Sequence, residues 1–280
     1  MKKRNLIKNN TAVAGVIEAL LIVALVAIVL STIQLTYIPK IMEQREADHM
    51  DDVTNQFSFL KSIIDLQSIT KEDVPITSPV TLGGSAIPYF VTAAAEGYVS
   101  IIGEDNTDKT INVDYNAKIF PLTSIIYYGI NYYYYDQTYL IEGGNIFLDQ
   151  HDGDVLKVEA SVKVENLSSE INIYYSIPIF VDFPGKNETI PASSNCYIRT
   201  NYSERSDTVW TALSDISSIN ITTDYPGSWH DFFNATLHDS VNYQYGDHYI
   251  EALKKDIQIN LYYKEVYIYA QLGPGEIRTN

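Results

Sequence analysis

The chain has 280 residues, one cysteine and a net charge of −16, with 35 acidic against 19 basic residues. An acidic surface of this kind repels phosphate, so the composition argues against nucleic acid as a partner. A single cysteine excludes an intrachain disulfide, and we expect Cys196 to be a small buried apolar residue.

The first ten residues form a short basic segment. They contain Lys2, Lys3, Arg4 and Lys8 and no acidic residue, so all 35 acidic residues of the chain lie beyond them. Positive residues next to a membrane span remain on the cytoplasmic side. If a span follows, the N-terminus is therefore expected inside the cell and the acidic remainder outside it.

The span is predicted by residues 11–37, an almost unbroken apolar segment with one charged residue, Glu18. At about 1.5 Å of rise per residue, a helix of roughly 26 residues is about 39 Å long and exceeds the ~30 Å hydrocarbon core of a bilayer. The apolar core of a secretory signal peptide is shorter, at about 7–15 residues. We therefore predict a single-pass membrane protein with an extracellular C-terminal domain.

A second helical pattern follows the apolar run. Ile38-Pro39 predicts a kink or a restart of the helix, because proline removes a backbone donor. Beyond Lys40, apolar residues recur at three- and four-residue steps, at Met50, Val53, Phe57, Leu60 and Ile64. This indicates an amphipathic stalk of about eight turns that ends near Lys71. Its apolar stripe is expected to pack either on the domain that follows or on another stalk.

From residue 74 onward the hydrophobic period changes to two, which is typical of half-buried strands. The clearest strand covers residues 155–165, and others cover residues 257–262 and 266–271. Glycine-containing turns such as Gly143-Gly144 and Asp152-Gly153 separate them. Residues 207–213 and 225–237 are helical candidates. The expected fold class is α+β, with a long transmembrane and stalk helix followed by an antiparallel β-sandwich head.

The N-terminus, KKRNLIKNNTA followed by VAGVIE, resembles that of archaeal type IV pilin-like precursors, which have a basic leader, a small residue at the cut and a retained hydrophobic helix. The resemblance covers roughly residues 2–30. It implies that a prepilin-type peptidase cuts between Ala12 and Val13. The chain would then have a leader (1–12), a transmembrane helix with stalk (13–73) and an extracellular head (74–280). Many haloarchaeal pilins differ, with Ser-Pro at Ala14-Gly15 and a glycine at Glu18.

The resemblance also implies a role for Glu18. In related bacterial pilins, an acidic residue near the mature N-terminus neutralises the N-terminal amine of a neighbouring subunit inside the filament. Such pairing relieves the cost of two charges in lipid. The alternatives are that Glu18 lies near the cytoplasmic headgroups or contacts an unrelated helix. Residues 134–150 and 219–237 are similar to archaeal surface proteins with the same kind of N-terminus, which supports location and architecture.

Five glycosylation sequons lie within residues 166–234, at Asn166, Asn187, Asn201, Asn220 and Asn234. Their density in a segment placed outside the membrane predicts that they are glycan acceptors. A sixth, at Asn9, is discounted because it lies on the cytoplasmic side.

No pattern in the chain predicts catalysis or metal binding. Residues 149–154 contain three carboxylates and His151, but their spacing differs from that of a calcium loop, and Asp152-Gly153 fits a hairpin turn. Nucleophile elbows, phosphate-binding loops and dinucleotide fingerprints are lacking from the sequence. We therefore expect no enzymatic activity, no cofactor and no metal. The tyrosines at 127–128 and 132–135 form either a carbohydrate or subunit contact face or an ordinary strand edge.

These observations lead to the expectation of a pilin-like structural or adhesive subunit at the cell surface. Its expected partners are a prepilin-type peptidase, the lipid bilayer and like or related pilin subunits. The alternative is a monomeric, membrane-anchored binding module that recognises glycan or a neighbouring surface protein without forming filaments. An anchored hydrolase is least favoured.

Overall fold

A computed structural model describes residues 10–84, 95–182, 189–192 and 195–273 of the chain. The described part begins with one continuous helix. It consists of α1 (Asn10–Thr32), a π-helical segment (Ile33–Tyr37) and α2 (Ile38–Thr70). The predicted long N-terminal helix is therefore confirmed, and a mostly β domain follows it.

Pro39 determines how the two parts of this helix join. It has no N–H, and its ring would clash with the carbonyl of Leu35 in a regular α-helix. The turn before it is widened into the π-helical segment, where the N–H of Ile38 donates to the carbonyl of Ile33, five residues earlier. At Pro39 the structure therefore has a π-helical turn followed directly by α2, and the helix continues without a break.

Helix α2 ends close to the predicted residue and buries the predicted stripe. Lys71 adopts a left-handed conformation with φ 57°, and its N–H donates to the carbonyl of Gln67. The stripe residues are all 2% exposed or less: Met50, Val53, Phe57, Leu60 and Ile64. They share one core with strands of the β domain. Of the two partners that the sequence allowed, the stripe therefore packs on the domain that follows it.

The β domain contains the following strands: β1 (Ile76–Val80), β2 (Glu96–Ile102), β3 (Thr110–Val113), β4 (Lys118–Pro121), β5 (Ser124–Ile130), β6 (Gln137–Glu142), β7 (Asn145–Gln150), β8 (Gly153–Val158), β9 (Val162–Asn166), β10 (Glu170–Asp182), β11 (Thr189–Ala192), β12 (Cys196–Tyr202), β13 (Thr211–Leu213), β14 (Ser218–Thr222), β15 (Val241–Gly246), β16 (Tyr249–Lys254) and β17 (Gln258–Gly273). Helix α3 (Pro226–Leu237) and a 3₁₀ turn (His238–Ser240) lie between β14 and β15.

These strands form three sheets. The first has the order β1-β12-β17-β10-β9, with β13 also on β17; the second is β11-β2-β5-β6-β7-β8; the third is β15-β16-β14-β3-β4. The expected antiparallel pairing holds except between β10 and β17, which run parallel from Glu170 opposite Gln258 to Asp182 opposite Ala270. Parallel strands need a long crossover, and the chain between β10 and β17 supplies one that includes part of the third sheet and α3.

Two hydrophobic cores use opposite faces of β17. Alternate residues of a strand point to opposite sides of the sheet. One core takes Ile259, Leu261 and Tyr263, together with α3 and the third sheet. The other takes Val266, Ile268, Ala270 and Leu272, together with α2 and residues of the first and second sheets. The predicted strands at 257–262 and 266–271 are therefore two halves of one strand whose inward face changes between them.

The remaining local predictions had mixed outcomes. Residues 225–237 were correctly predicted as helical, and α3 buries its aromatic side at Trp229, Phe232 and Phe233. Residues 207–213 are not a helix but bends followed by β13, which pairs with β17. The strand predicted over 155–165 is divided into β8 and β9, because the chain leaves the second sheet at Ala160, whose N–H donates to the side chain of Asn145 (2.7 Å).

Candidate anchoring and assembly site

The N-terminal part of the long helix is exposed from Ala14 onward. From Ala14 to Tyr37 each residue is exposed, including Leu21 at 66% and Leu35 at 78%. The helix that contains this stretch is long and apolar enough to cross a membrane. Proteins dissolved in water rarely expose so large a continuous apolar surface, and a surface of this kind suits contact with lipid or with other apolar helices.

Glu18 is the single charged residue of the exposed apolar stretch. Its side chain is exposed, and none of the residues that the structure describes pairs with it. A carboxylate at membrane depth costs on the order of 3 kcal/mol, which a partner from outside the chain would reduce. The predicted cut between Ala12 and Val13 falls in the first turn of α1.

The exposed stretch ends abruptly where the β domain begins. Tyr37 is 64% exposed, whereas Ile38 is 6% and Met42 is 1% exposed. Burial of the helix therefore begins at the first residue of α2. This leaves the apolar stretch as a separate projecting rod.

A buried carboxylate fixes the start of α2 to the β domain. Glu46 is 1% exposed, and its two oxygens accept the backbone N–H groups of Tyr132 (3.3 Å), Tyr133 (2.6 Å) and Tyr134 (2.8 Å). These bonds bind the loop between β5 and β6. Because each is assisted by the negative charge, they are stronger than bonds between neutral groups.

The same loop contains part of the tyrosine-rich segment at residues 127–128 and 132–135. Tyr132, Tyr133 and Tyr135 are exposed on the loop, so they do not form a strand edge. Tyr127 by contrast is 0% exposed in the core, and Tyr128 stacks on Tyr98 with ring centroids 4.5 Å apart. The run is therefore divided between the core, the sheet surface and a turn.

A second polar contact lies one turn further along α2. The Nε2 atom of His49 lies 3.1 Å from the hydroxyl of Tyr127. Burial lowers the pKa of His49, an effect that Asp52 and Glu46 partly offset, and burial raises the pKa of Tyr127. Both groups are therefore neutral near pH 7, and the contact is an ordinary hydrogen bond that positions the helix.

The predicted glycan acceptors differ in accessibility. Asn166 and Asn234 are exposed, at the end of β9 and on α3 respectively. Asn201 is partly buried and donates to Asp73, and Asn220 is partly buried within β14. Asn187 lies outside the described residues. Asn166 and Asn234 therefore present their amides most openly.

The acidic segment at residues 149–154 has a structural role. His151 and Asp152 form the turn between β7 and β8, as the sequence indicates, and the carboxylate of Asp154 accepts the N–H of Ser228 in the first turn of α3. Burial, followed by the charge of Asp154, raises the pKa of Asp149. Among the described residues, no group of three or more His, Cys, Asp or Glu side chains is arranged to hold a metal ion.

Glu46 is the site residue that sequence reasoning missed. The stripe predicted from Met50 to Ile64 does not extend to it. The available signal was its spacing, because it lies four residues after Met42 and four before Met50 and so falls on the apolar stripe. An acidic residue at such a position is expected to have partners, and here they are backbone amides.

Comparison of the chain with protein-family models, curated proteins and solved structures found no match. The function is therefore argued from the geometry described above.

Proposed function

We propose that this chain is a pilin-like structural or adhesive subunit of the cell surface, anchored or assembled through its N-terminal hydrophobic helix. The observation that carries the proposal is the division of one continuous helix at Tyr37. The part before it is exposed and apolar, and the part after it is built into the β domain. A subunit that joins others through a helical rod requires this division.

The proposal includes an orientation and a set of partners. Lys2, Lys3, Arg4 and Lys8 favour a cytoplasmic N-terminus, and the acidic β domain would lie outside the cell, possessing acceptors for glycans at Asn166 and Asn234. The partners would be a prepilin-type peptidase, the bilayer and like subunits. We also propose that the head belongs to the sandwich class, which is supported by one core that residues of the first and second sheets share.

The first test is the N-terminal residue of the mature chain. We expect mass spectrometry of the protein purified from an archaeal host to find a chain that begins at Val13. A chain that retains Met1 would contradict the pilin-like part of the proposal and leave a membrane-anchored protein.

The second test concerns Glu18 in assembly. We expect Glu18→Ala to abolish filaments in electron micrographs of cells, because the N-terminal amine of a neighbour would lose its counter-charge. Glu43→Ala is the matched control, since Glu43 is exposed on α2 beyond the apolar stretch. Filaments that survive Glu18→Ala would contradict the assembly role.

The second candidate function is a monomeric, membrane-anchored binding module. It is favoured by an open groove on the β domain that contains an exposed tryptophan, Trp210. A mature chain that remains monomeric in native membranes would favour this candidate.

A further inference from the structure

A groove runs between the last two turns of α2 and the first sheet. Its volume is about 470 Å³, within the range of roughly 300–1,000 Å³ that small-molecule sites occupy. Its lining combines aromatic and polar side chains, including Trp210, Tyr174, Asp65, Ser161, Lys163 and Ser176. A ligand that fits it needs both an apolar face and polar groups around that face.

The aromatic part of the lining is held in place before any ligand binds. The indole of Trp210 makes a T-shaped contact with Tyr174 at a centroid distance of 5.7 Å, and the Nζ atom of Lys264 lies 4.6 Å from the centroid of the indole. Tyr174 in turn stacks on Tyr262 at 4.7 Å. Thr211, which follows the tryptophan, pairs with β17. Trp210 nevertheless remains 42% exposed, so a ligand would meet a fixed aromatic surface at little ordering cost.

The polar part contains a carboxylate with a free oxygen. The Oδ2 atom of Asp65 accepts bonds from the Nζ atom of Lys61 (2.5 Å) and the hydroxyl of Ser161 (2.9 Å). Its Oδ1 atom has no partner among the described residues. Because two bonds fix the carboxylate, this oxygen is a positioned acceptor for a donor on a ligand.

The charges indicate a neutral ligand. Lys61 is paired with Asp65, and the Nζ atom of Lys163 lies 2.6 Å from Glu165. The charges of Lys61 and of Lys163, which lines the groove, are therefore balanced, and the ammonium group of Lys264 lies over the indole of Trp210. This arrangement disfavours phosphate and carboxylate ligands. The serine and aspartate groups suit hydroxyls, which both donate and accept, and the indole suits a face of C–H groups.

We propose that this groove binds a neutral hexopyranose unit of a glycan, with one face of the sugar ring on Trp210 and a hydroxyl donating to Asp65. A pyranose ring has the combination that the lining requires: a C–H face and a rim of hydroxyls. No residue of the groove belongs to α1, so this binding does not depend on the proposed anchoring or assembly.

The test uses the fluorescence of Trp210 in the full chain. The chain has two tryptophans, and Trp229 is 0% exposed, so a dissolved quencher such as iodide reports on Trp210. The protein is produced without glycosylation, so that its own sugars cannot occupy the groove, and is kept in a detergent without a sugar headgroup. The probes are the methyl pyranosides of glucose, galactose, mannose and N-acetylglucosamine.

We expect at least one probe to protect Trp210 from quenching with a saturable concentration dependence. No protection by any of the four at about 100 mM, where a site with a millimolar Kd is saturated, would overturn the proposal.

Variants then locate the binding. We expect Trp210→Ala to weaken binding by about tenfold or more and Asp65→Asn by about tenfold in titration calorimetry, while Trp210→Phe retains part of the affinity. Tyr115→Ala is the control, since Tyr115 is 69% exposed in the turn between β3 and β4. Equal affinity of wild type, Trp210→Ala and Asp65→Asn would overturn the proposal, and the measurement on Asp65→Asn applies even if Trp210→Ala fails to fold.

Discussion

Helices α1 and α2 have the same backbone geometry and opposite relations to their surroundings. Every described residue from Ala14 through the end of α1 is exposed, although this is the more apolar half. Helix α2 carries many charges, yet twelve of its residues are buried against the β domain. The comparison teaches that periodicity, and not apolar content, decides which helix a protein buries in its own core. A helix that is apolar on every side lacks the polar face that a helix on the surface of a water-exposed domain needs.

The largest expected effect on folding comes from truncating the chain, first before α2 and then after it. A chain that begins at Ile38 should be soluble without detergent and unfold cooperatively, because it keeps the helix that completes the core. A chain that begins at Val74 should fail to fold, since Phe57, Leu60 and their neighbours leave that core. Circular dichroism and thermal melts of both chains would measure this. Cooperative melting of the shorter chain would show that α2 is not needed.

Point substitutions sharpen the same comparison. Phe57 is 0% exposed, with Tyr127 and Tyr139 each at a centroid distance of 6.3 Å, so Phe57→Ala should lower the free energy of unfolding by about 3–5 kcal/mol. Leu21→Ala in α1 is the control and should change it by less than about 0.5 kcal/mol. Urea titration of the full chain in detergent compares the two. A similar cost at both positions would contradict the division of the helix.

Loss of the hydrogen bonds between Glu46 and the β5–β6 loop should lower the free energy of unfolding somewhat less. Glu46→Ala leaves the backbone amides of the β5–β6 loop without their acceptor, and we expect a loss of about 3 kcal/mol in the free energy of unfolding. Hydrogen exchange at Tyr133 and Tyr134 should become faster. Glu43→Ala, on the solvent side of α2, should leave both measurements unchanged, and unaltered exchange in Glu46→Ala would contradict the role of these hydrogen bonds.

A buried acid in the other core tests whether α2 is the only element held by a buried carboxylate, and its substitution by glutamine should change stability only at higher pH. Glu142 is 0% exposed, and its Oε1 atom accepts bonds from Thr223 (2.7 Å) and Trp229 (2.9 Å). Burial raises its pKa, against the opposing effect of Lys109 and these two bonds. The folded state therefore holds a proton that the unfolded chain releases above its ordinary pKa of 4.5, so this group's contribution to stability is greatest below pH 4.5 and falls as the pH rises through the raised pKa.

We therefore expect Glu142→Gln to remove this loss of stability at higher pH, because the amide is neutral at every pH and still accepts both bonds. Glu142→Ala should instead be destabilised throughout, by about 3 kcal/mol, since it leaves the donors of Thr223 and Trp229 without an acceptor. Urea titrations from pH 4 to pH 8 measure both. An unchanged pH dependence in Glu142→Gln would show that the carboxyl does not titrate in this range.

The sequence predicted the features that depend on local periodicity. The stripe from Met50 to Ile64, the aromatic side of α3 and the inward residues of β17 all follow from alternation of three to four or of two residues. The exposed helix was equally evident, because a long apolar run has no polar face.

The rest depended on contacts between distant parts of the chain. The parallel pairing of β10 with β17 joins strands that are far apart in sequence, and no local pattern specifies it. The break between β8 and β9 at Ala160 depends on the side chain of Asn145. Glu46 binds a loop whose first bonded residue, Tyr132, lies 86 residues later in the chain. Residues 207–213 form bends and a short strand because β17 offers them an edge, which local propensity does not register.

The π-helical segment at Ile33–Tyr37 also sets the rotation of the β domain about the helix axis. Each residue of an α-helix turns the chain by about 100°, so one additional residue in this turn rotates everything beyond Pro39 around the rod by roughly a quarter of a circle. If subunits associate through the apolar rod, as we propose, these five residues would determine which side of the head faces a neighbouring subunit.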